Sequence, residues 1–370
     1  MPPQSAALLT LLRCPGVGVL SARGRVNGSP KRHNQDAFCI EPLPGLPQQE
    51  HHQCTLIGIF DGHGAEGHAA SRHVATQVAT AARQYASSLP LGDLWSHAQQ
   101  DDRSSSKQQG HSNMNSPVAM LAQCSIEDEL ALDAARGCLE VSFSQAAQSV
   151  AAGAAGCDVV KSGTTAVACV VLPESLVVAW AGDSRAVVGS TAGAGGYTVT
   201  QLTADHKPSR LSEMTRILAA GGKVARSAFD RHGNPTGPFR VVPPGRSSAG
   251  LSVARAFGDL QLAPYGVIPV PEFATYSRGT SATAEHALNK GAAAAAMSTV
   301  AAPQCPAEVL VVATDGLWEM VCNEEAVELA VMAGGPEEAA QQLVAVAKQR
   351  WAEMSCGRHQ DDITVAVAYL

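Results

Sequence analysis

The stretch VVLPESLVVAWAGDSRAVVG, residues 170–189, sets three β-rich apolar runs one after another with only PES and GDS between them. Parallel neighbours need a crossover of about a dozen residues or more, so turns this short predict antiparallel meanders and exclude a doubly wound βαβ chain. Further runs of the same kind are CTLIGIF (54–60), TAVACVV (165–171), EVLVVAT (308–314) and ITVAVAYL (363–370), each bounded by Gly, Pro or Asp. They read as nearly continuous apolar strands, which need covering on both faces. Helical spacing at Ala70, Val74, Val78 and Tyr85, at Ile126, Leu130, Ala134 and Cys138, and at Ala339, Leu343 and Ala347 supplies the cover. The expected fold class is α+β: an α-β-β-α sandwich of two mostly antiparallel sheets flanked by helices.

With 45% hydrophobic and 16% charged residues, the 370-residue chain has ample core material and too little charge for disorder. A net charge of -7 and the lack of any basic stripe interleaved with aromatics argue against nucleic acid as a partner. The ten cysteines are scattered without a CxxC pair, which favours a reducing, intracellular compartment, cytoplasmic or nuclear. Arg13, Arg23 and Arg25 leave organellar targeting open. The apolar stretch 6–20 is too short for a membrane span, and no span is expected elsewhere. Two tracts lack hydrophobic periodicity, near 96–117 and 278–306, and read as surface insertions. The expected organisation is an N-terminal extension over 1–22 and one domain over 23–370 carrying both insertions.

Five aspartates fall at strand ends: Asp36 near the first strand, Asp61 after CTLIGIF, Asp183 after SLVVAWAG, Asp315 after EVLVVAT and Asp361 before ITVAVAYL. A carboxylate at the end of a buried strand is costly unless it is paired or bound to a cation. Oxygen ligands without Cys or His clustering suit Mg²⁺ or Mn²⁺ rather than zinc. In FDGHGAEGH, Gly62 and Gly64 permit a sharp turn and close approach of a carbonyl to an ion, and His63 stands beside Asp61 as a candidate proton donor.

The strings KRHNQDAF, IGIFDGHGAEGH, KSGTTAVACVV, WAGDSRAVV, LTADHKPSR, GLSVARAFGD, YGVIPVPEF, VVATDGLWEMVCNEEAV and QDDITVAV follow one another in the order found in the metal-dependent protein serine/threonine phosphatases of type 2C, and the chain resembles that family from about residue 31 to 370. The resemblance implies hydrolysis of phosphoserine and phosphothreonine by direct attack of a hydroxide bridging two Mg²⁺ or Mn²⁺ ions about 3.5–4 Å apart. It makes Asp61 the bridging ligand, Gly62 a carbonyl ligand, and Asp315 and Asp361 ligands of the other ion. Asp36 stands close to the same centre, and Asp183 serves a weaker third ion. The resemblance also implies that His63 protonates the leaving oxygen and that phosphate is captured by Lys31, at the family's usual Arg position, or by Arg32 beside it. Phosphorylated proteins are the implied partners, and a monomer is expected.

Four positions depart from the family's usual pattern, among them Gln35 where an acid often stands, Glu319 in place of Asp in the DGLWE string, and Asp362 where Asn is common. Lys31 also replaces the usual Arg, giving a point charge without a bidentate fork. Residues 205–250 resemble the flap beside the cleft, with LSEMTRILAAGG helix-like and FDRHGNPTGPFRVVPPGRSS loop-like. The alternative reading from another functional class is a catalytically impaired member acting as a phosphoprotein-binding regulator. Retention of Asp61, Gly62, Asp315 and Asp361 counts against it.

Overall fold

The computed structural model describes residues 16–46, 53–89, 117–192, 196–229, 231–232, 234–245, 250–278 and 306–370. Ten strands form two five-stranded antiparallel sheets. The first sheet contains β2 (Ala37–Pro42), β3 (Thr55–Phe60), β4 (Ala166–Val171), β5 (Ser175–Ala181) and β8 (Glu272–Ser277), in the order β8-β5-β4-β3-β2. The second contains β1 (Val17–Ala22), β6 (Arg185–Ala192), β7 (Gly196–Gln201), β9 (Glu308–Ala313) and β10 (Ile363–Tyr369), in the order β1-β10-β9-β6-β7.

Alternation of side chains along each strand sorts the apolar residues into three layers. Ile57, Ile59, Val167, Leu176, Val178 and Trp180 of the first sheet meet Ala186, Val188, Leu310, Val312 and Ala366 of the second. The opposite face of the first sheet, with Leu56, Phe60, Ala168 and Val177, packs against α1 (Gly67–Ser88) and α2 (Pro117–Ala151). The far face of the second, with Val187, Val309, Val311 and Val365, packs against α5 (Asn323–Met332) and α6 (Pro336–Ser355). The α-β-β-α sandwich follows from these layers.

The helices bury most of the expected stripe residues, with Tyr85 half-buried and the Ile126 side chain outside the described residues. Ala70, Val74 and Val78 of α1 are buried, as are Ala339, Leu343 and Ala347 of α6 at the 3.6-residue spacing. In α2, Leu130 is 48% exposed, and the stripe runs instead through Ala131, Ala134, Ala135 and Cys138. Small residues there let α2 lie close to α1.

Three features differ from the sequence reading. Val17–Ala22 pairs along its whole length with β10, so a strand lies inside the stretch assigned to an N-terminal extension. The PES turn joins paired neighbours β4 and β5, but the GDS turn does not. After β5 the chain leaves the first sheet at Gly182, whose φ is +123°, and enters the second as β6. Apolar runs on both sides of the turn supply the interlayer core equally well in either sheet, which is why strand order is invisible there. Within the flap, Lys223–Phe229 and Pro235–Val242 form an antiparallel hairpin despite the Gly and Pro content, with a register irregularity between Arg226 and Ala228. The hairpin, α3 (Leu211–Ala219) and residues 250–268 share a separate small core around Ile217, Val241, Val253 and Val267. The insertions expected near 96–117 and 278–306 fall almost wholly outside the described residues, as do residues 1–15.

Candidate metal centre

Strand ends from both sheets converge on one acidic cluster. Asp61 follows β3, Asp183 lies in the sheet-changing turn, and Asp315 opens the short helix α4 (Asp315–Trp318) directly after β9. One carboxylate oxygen from each of the three lies within 4.8 Å of the others. Asp36 precedes β2 and is buried; its Oδ2 accepts hydrogen bonds from Thr364 Oγ1 at 2.7 Å and Thr314 Oγ1 at 3.1 Å. Its Oδ1 has no hydrogen-bond partner among the described residues.

The electrostatics show how strongly these carboxylates oppose one another. Burial, reinforced by the charges of Asp315, Asp36, Asp361 and Asp183, holds the Asp61 carboxyl well above the usual range. Burial with Asp183 and Asp361 does the same to Asp315, against the relief supplied by Lys207. Asp36 is pushed up to about 8, chiefly by burial and next by Asp362, with the Thr364 hydroxyl opposing. A set of close, oxygen-only donors that repel one another, one oxygen of them unpartnered, fits a hard divalent cation.

Two lysines border the cluster. Lys207, from the LTADHKPSR string, pairs with the buried Asp183. Lys31 Nζ lies 2.5 Å from Asp361 Oδ1 and 3.1 Å from Asp362 Oδ2. Burial acts against the charge of both ammonium groups, but their acidic neighbours outweigh it and raise both pKa values. The guanidinium-bearing Arg32 next to Lys31 is exposed.

Asp361 and Asp362 play different parts in the structure. Asp362 is buried, and its oxygens accept the N–H groups of Gly24 at 2.6 Å and Gln35 at 3.0 Å. It thereby ties the loop before β2 to the start of β10. The Asp361 side chain is 39% exposed and carries the Lys31 contact. Glu319, at the end of α4, is raised by burial, with Lys207 opposing and Asp361 and Asp183 reinforcing.

His63 stands in a two-residue strand, Gly62–His63, and its Nε2 lies 2.5 Å from Asp259 Oδ2. Burial pulls the His63 pKa down, but the Asp259 carboxylate outweighs it, and Asp183 and the Asp61 backbone act in the same direction; the net shift is upward. Sequence reasoning passed over Asp259, Lys207 and the hydroxyls of Thr314 and Thr364. Their partners lie far along the chain, and only the GD of ARAFGD and the HKP of LTADHKPSR marked the first two.

A second group, His206, Glu213 and Glu272, also brings ligand-type atoms within 4.8 Å. Its carboxylates are already engaged: Glu213 accepts from Arg255 and Arg216, and Glu272 from Arg210 and Arg255. Burial drives His206 down to about 4, so the imidazole is neutral. Its Nδ1 accepts the Gly182 N–H at 3.1 Å, anchoring the flap to the sheet-changing turn.

The profile of the family described as protein phosphatase 2C matches residues 31–355, most of the chain, with Asp36, Asp61, Asp183 and Asp315 inside the match. The chain belongs to the protein phosphatase 2C family. Probable protein phosphatase 2C 73 of Arabidopsis thaliana is 30% identical over 347 residues, covering 91% of this chain and 75% of the relative. Probable protein phosphatase 2C 12 of Oryza sativa subsp. japonica is 35% identical over 209 residues, which is 56% of this chain but 46% of the relative's length. Among solved structures, the serine-threonine phosphatase 2C from Toxoplasma gondii has the same fold, with a TM-score of 0.63 at 22% identity, covering 95% of this chain and 94% of that one. Family membership and fold both agree with the type 2C resemblance read from the motifs, and the family's metal dependence agrees with the acidic cluster. Among the described residues no helix is long and apolar enough to cross a membrane.

Proposed function

We propose that this chain is a metal-dependent protein serine/threonine phosphatase that hydrolyses phosphoserine and phosphothreonine in phosphorylated proteins. The carrying observation is the convergence of Asp61, Asp183 and Asp315, their oxygens within 4.8 Å of one another, at strand ends of a phosphatase 2C chain. Asp61, the Gly62 carbonyl, Asp315 and Asp361 would hold two Mg²⁺ or Mn²⁺ ions with Asp36 beside them, and Asp183 with Asp315 a weaker third. Such ions neutralise charge gathering on the phosphoryl oxygens and make a water acidic enough to attack near neutral pH.

The chain's own residues do the rest. Asp362 is committed to the backbone N–H groups of Gly24 and Gln35, which supports Asp361 as the metal ligand of the pair. Lys31, at the cluster's rim, and the exposed Arg32 supply positive charge for the incoming phosphate. His63, next in sequence but one to Asp61 and held by Asp259, whose charge shifts its pKa upward, can donate a proton to the seryl or threonyl oxygen as it departs. No observation favours the impaired, binding-only reading, since Asp61, Gly62, Asp315 and Asp361 are all retained.

The catalytic unit is read as one domain over 23–370 joined by β1, acting as a monomer in an intracellular compartment, cytoplasmic or nuclear. Free cysteines at Cys39, Cys54, Cys138, Cys157, Cys169, Cys322 and Cys356 support a reducing environment. The test is phosphate release from a phosphothreonine peptide by metal-stripped protein, with and without Mn²⁺ or Mg²⁺, beside Asp61→Ala and Asp315→Ala. Metal-dependent turnover lost in both variants is expected. A folded wild type without turnover in either metal would move the binding-only reading into first place.

A further inference from the structure

A three-stranded sheet too small to be a structural layer lies beside the metal centre, and it joins three separate motifs. Gly163–Thr164 is its middle strand, flanked by Gly62–His63 on one side and Phe257–Gly258 on the other. These are the FDGHG, KSGTT and ARAFGD strings. The first already has a role in the reaction. The other two have none.

Directly after the third strand, Asp259 has a φ of 49°, following Gly258 at 92°. A left-handed backbone is uncommon for any residue with a side chain and is best tolerated by Asp and Asn. The conformation is held at both ends: the Asp259 N–H donates to Ser162 C=O at 3.0 Å, and its C=O accepts the Leu262 N–H at 2.6 Å. The side chain is 4% exposed, and Oδ2 lies 2.5 Å from His63 Nε2. Gly163, in register with His63, leaves the space they share. A Cβ there would lie 2.3 Å from that same Oδ2 and 2.9 Å from that same Nε2. An unusual backbone, a buried carboxylate and an obligatory glycine all serve one contact, and such concentrations of local cost mark functional sites.

We propose that Asp259 is the positioning residue for His63, accepting the Nε2 proton and leaving Nδ1 as the nitrogen that hands a proton to the leaving oxygen. This rests on the phosphatase reading above. As the water oxygen forms its bond to phosphorus, the bond from phosphorus to the seryl oxygen breaks. The seryl oxygen keeps the bonding pair and takes the Nδ1 proton. The proton shed by the water passes to solvent, from which the imidazole is recharged. Throughout, Asp259 keeps its contact to Nε2 and holds the ring plane and the identity of the donating nitrogen, as a buried carboxylate does for other general acid histidines.

The test compares two esters: a phosphothreonine peptide, whose leaving alkoxide needs a proton, and p-nitrophenyl phosphate, whose leaving group is stable as the anion. Asp259→Asn should lower kcat on the peptide about a hundredfold with little change in KM, while the aryl ester is nearly unaffected. His63→Gln should show the same pattern, and the double variant should be no worse than His63→Gln alone, because the two act as a unit. Equal losses on both esters, no loss on either, or additive effects in the double variant would overturn the positioning role while leaving the phosphatase reading intact. Wild type inactive on both esters would overturn both. Should Asp259→Asn fail to fold, wild-type protein decides: a downfield, hydrogen-bonded imidazole proton resonance that vanishes in His63→Gln is expected, and its absence from wild type would refute the contact.

Discussion

The carboxylates of the centre should destabilise the protein that carries them whenever no cation is present, and Asp36 allows the size of that effect to be worked out. Its folded pKa is pushed from 3.8 to about 8. A carboxyl whose pKa is raised on folding costs nothing below its unfolded value, and the cost grows as pH rises from about 4 towards 8. At 1.36 kcal/mol per unit, the cost at pH 7 is about 4 kcal/mol. Asp36→Asn removes it at almost constant shape. The amide oxygen can still accept from Thr314 and Thr364, and the amide nitrogen takes the place of the unpartnered Oδ1. Urea unfolding in chelator, followed by fluorescence of the buried Trp180, Trp318 and Trp351, should show the variant more stable by several kcal/mol at pH 7 and no different near pH 4. In Mn²⁺ at 100 times Kd the wild type gains about 2.7 kcal/mol, and more with a second ion, so the variant's advantage should shrink or reverse. A variant less stable than wild type in chelator at pH 7 would refute the reasoning.

Two further outcomes are expected. Lys31→Ala should raise KM for a phosphopeptide more than it lowers kcat if the ammonium captures phosphate, as steady-state kinetics will show; an unchanged KM would remove that role. In the flap, Glu213 is completely buried, and its pKa falls from 4.5 to about 2 because the hydrogen bonds and charges of Arg255 and Arg216 outweigh burial. Glu213→Gln should cost about 3 kcal/mol near neutral pH, with the difference fading as pH drops from about 4.5 towards 2 and the wild-type carboxylate is protonated. Limited proteolysis should find the loss first in the 205–250 segment.

The layers were legible because each depends on local periodicity. Strand residues such as Val309 and Leu310 alternate between two cores, and both faces are apolar, which demanded cover on both sides. Asp61, Asp183 and Asp315 were legible for a related reason: a charge abutting an apolar run stands out. What the chain does not display is pairing at a distance. Asp259 and His63 are separated by 196 positions, and Lys31 and Asp361 by 330. The flap hairpin was hidden because Pro235 and Gly237 mark turns by composition, whereas its pairing comes from the small core beneath it. Val17–Ala22 was hidden because its strand pattern is short and its partner, β10, lies at the other end of the chain.

The turn at Gly182 and Asp183 has a mechanical consequence. Asp61 is carried by one sheet, Asp315 by the other, and Asp183 by the thread that passes between them. Any cation held by all three is therefore a rivet through the sandwich, and its fit is gauged by the thickness of the layer of Ile59, Trp180, Val188 and Leu310 beneath it. A change of a single methylene in the middle layer resets it, so the buried residues between the sheets belong to the tuning of the centre.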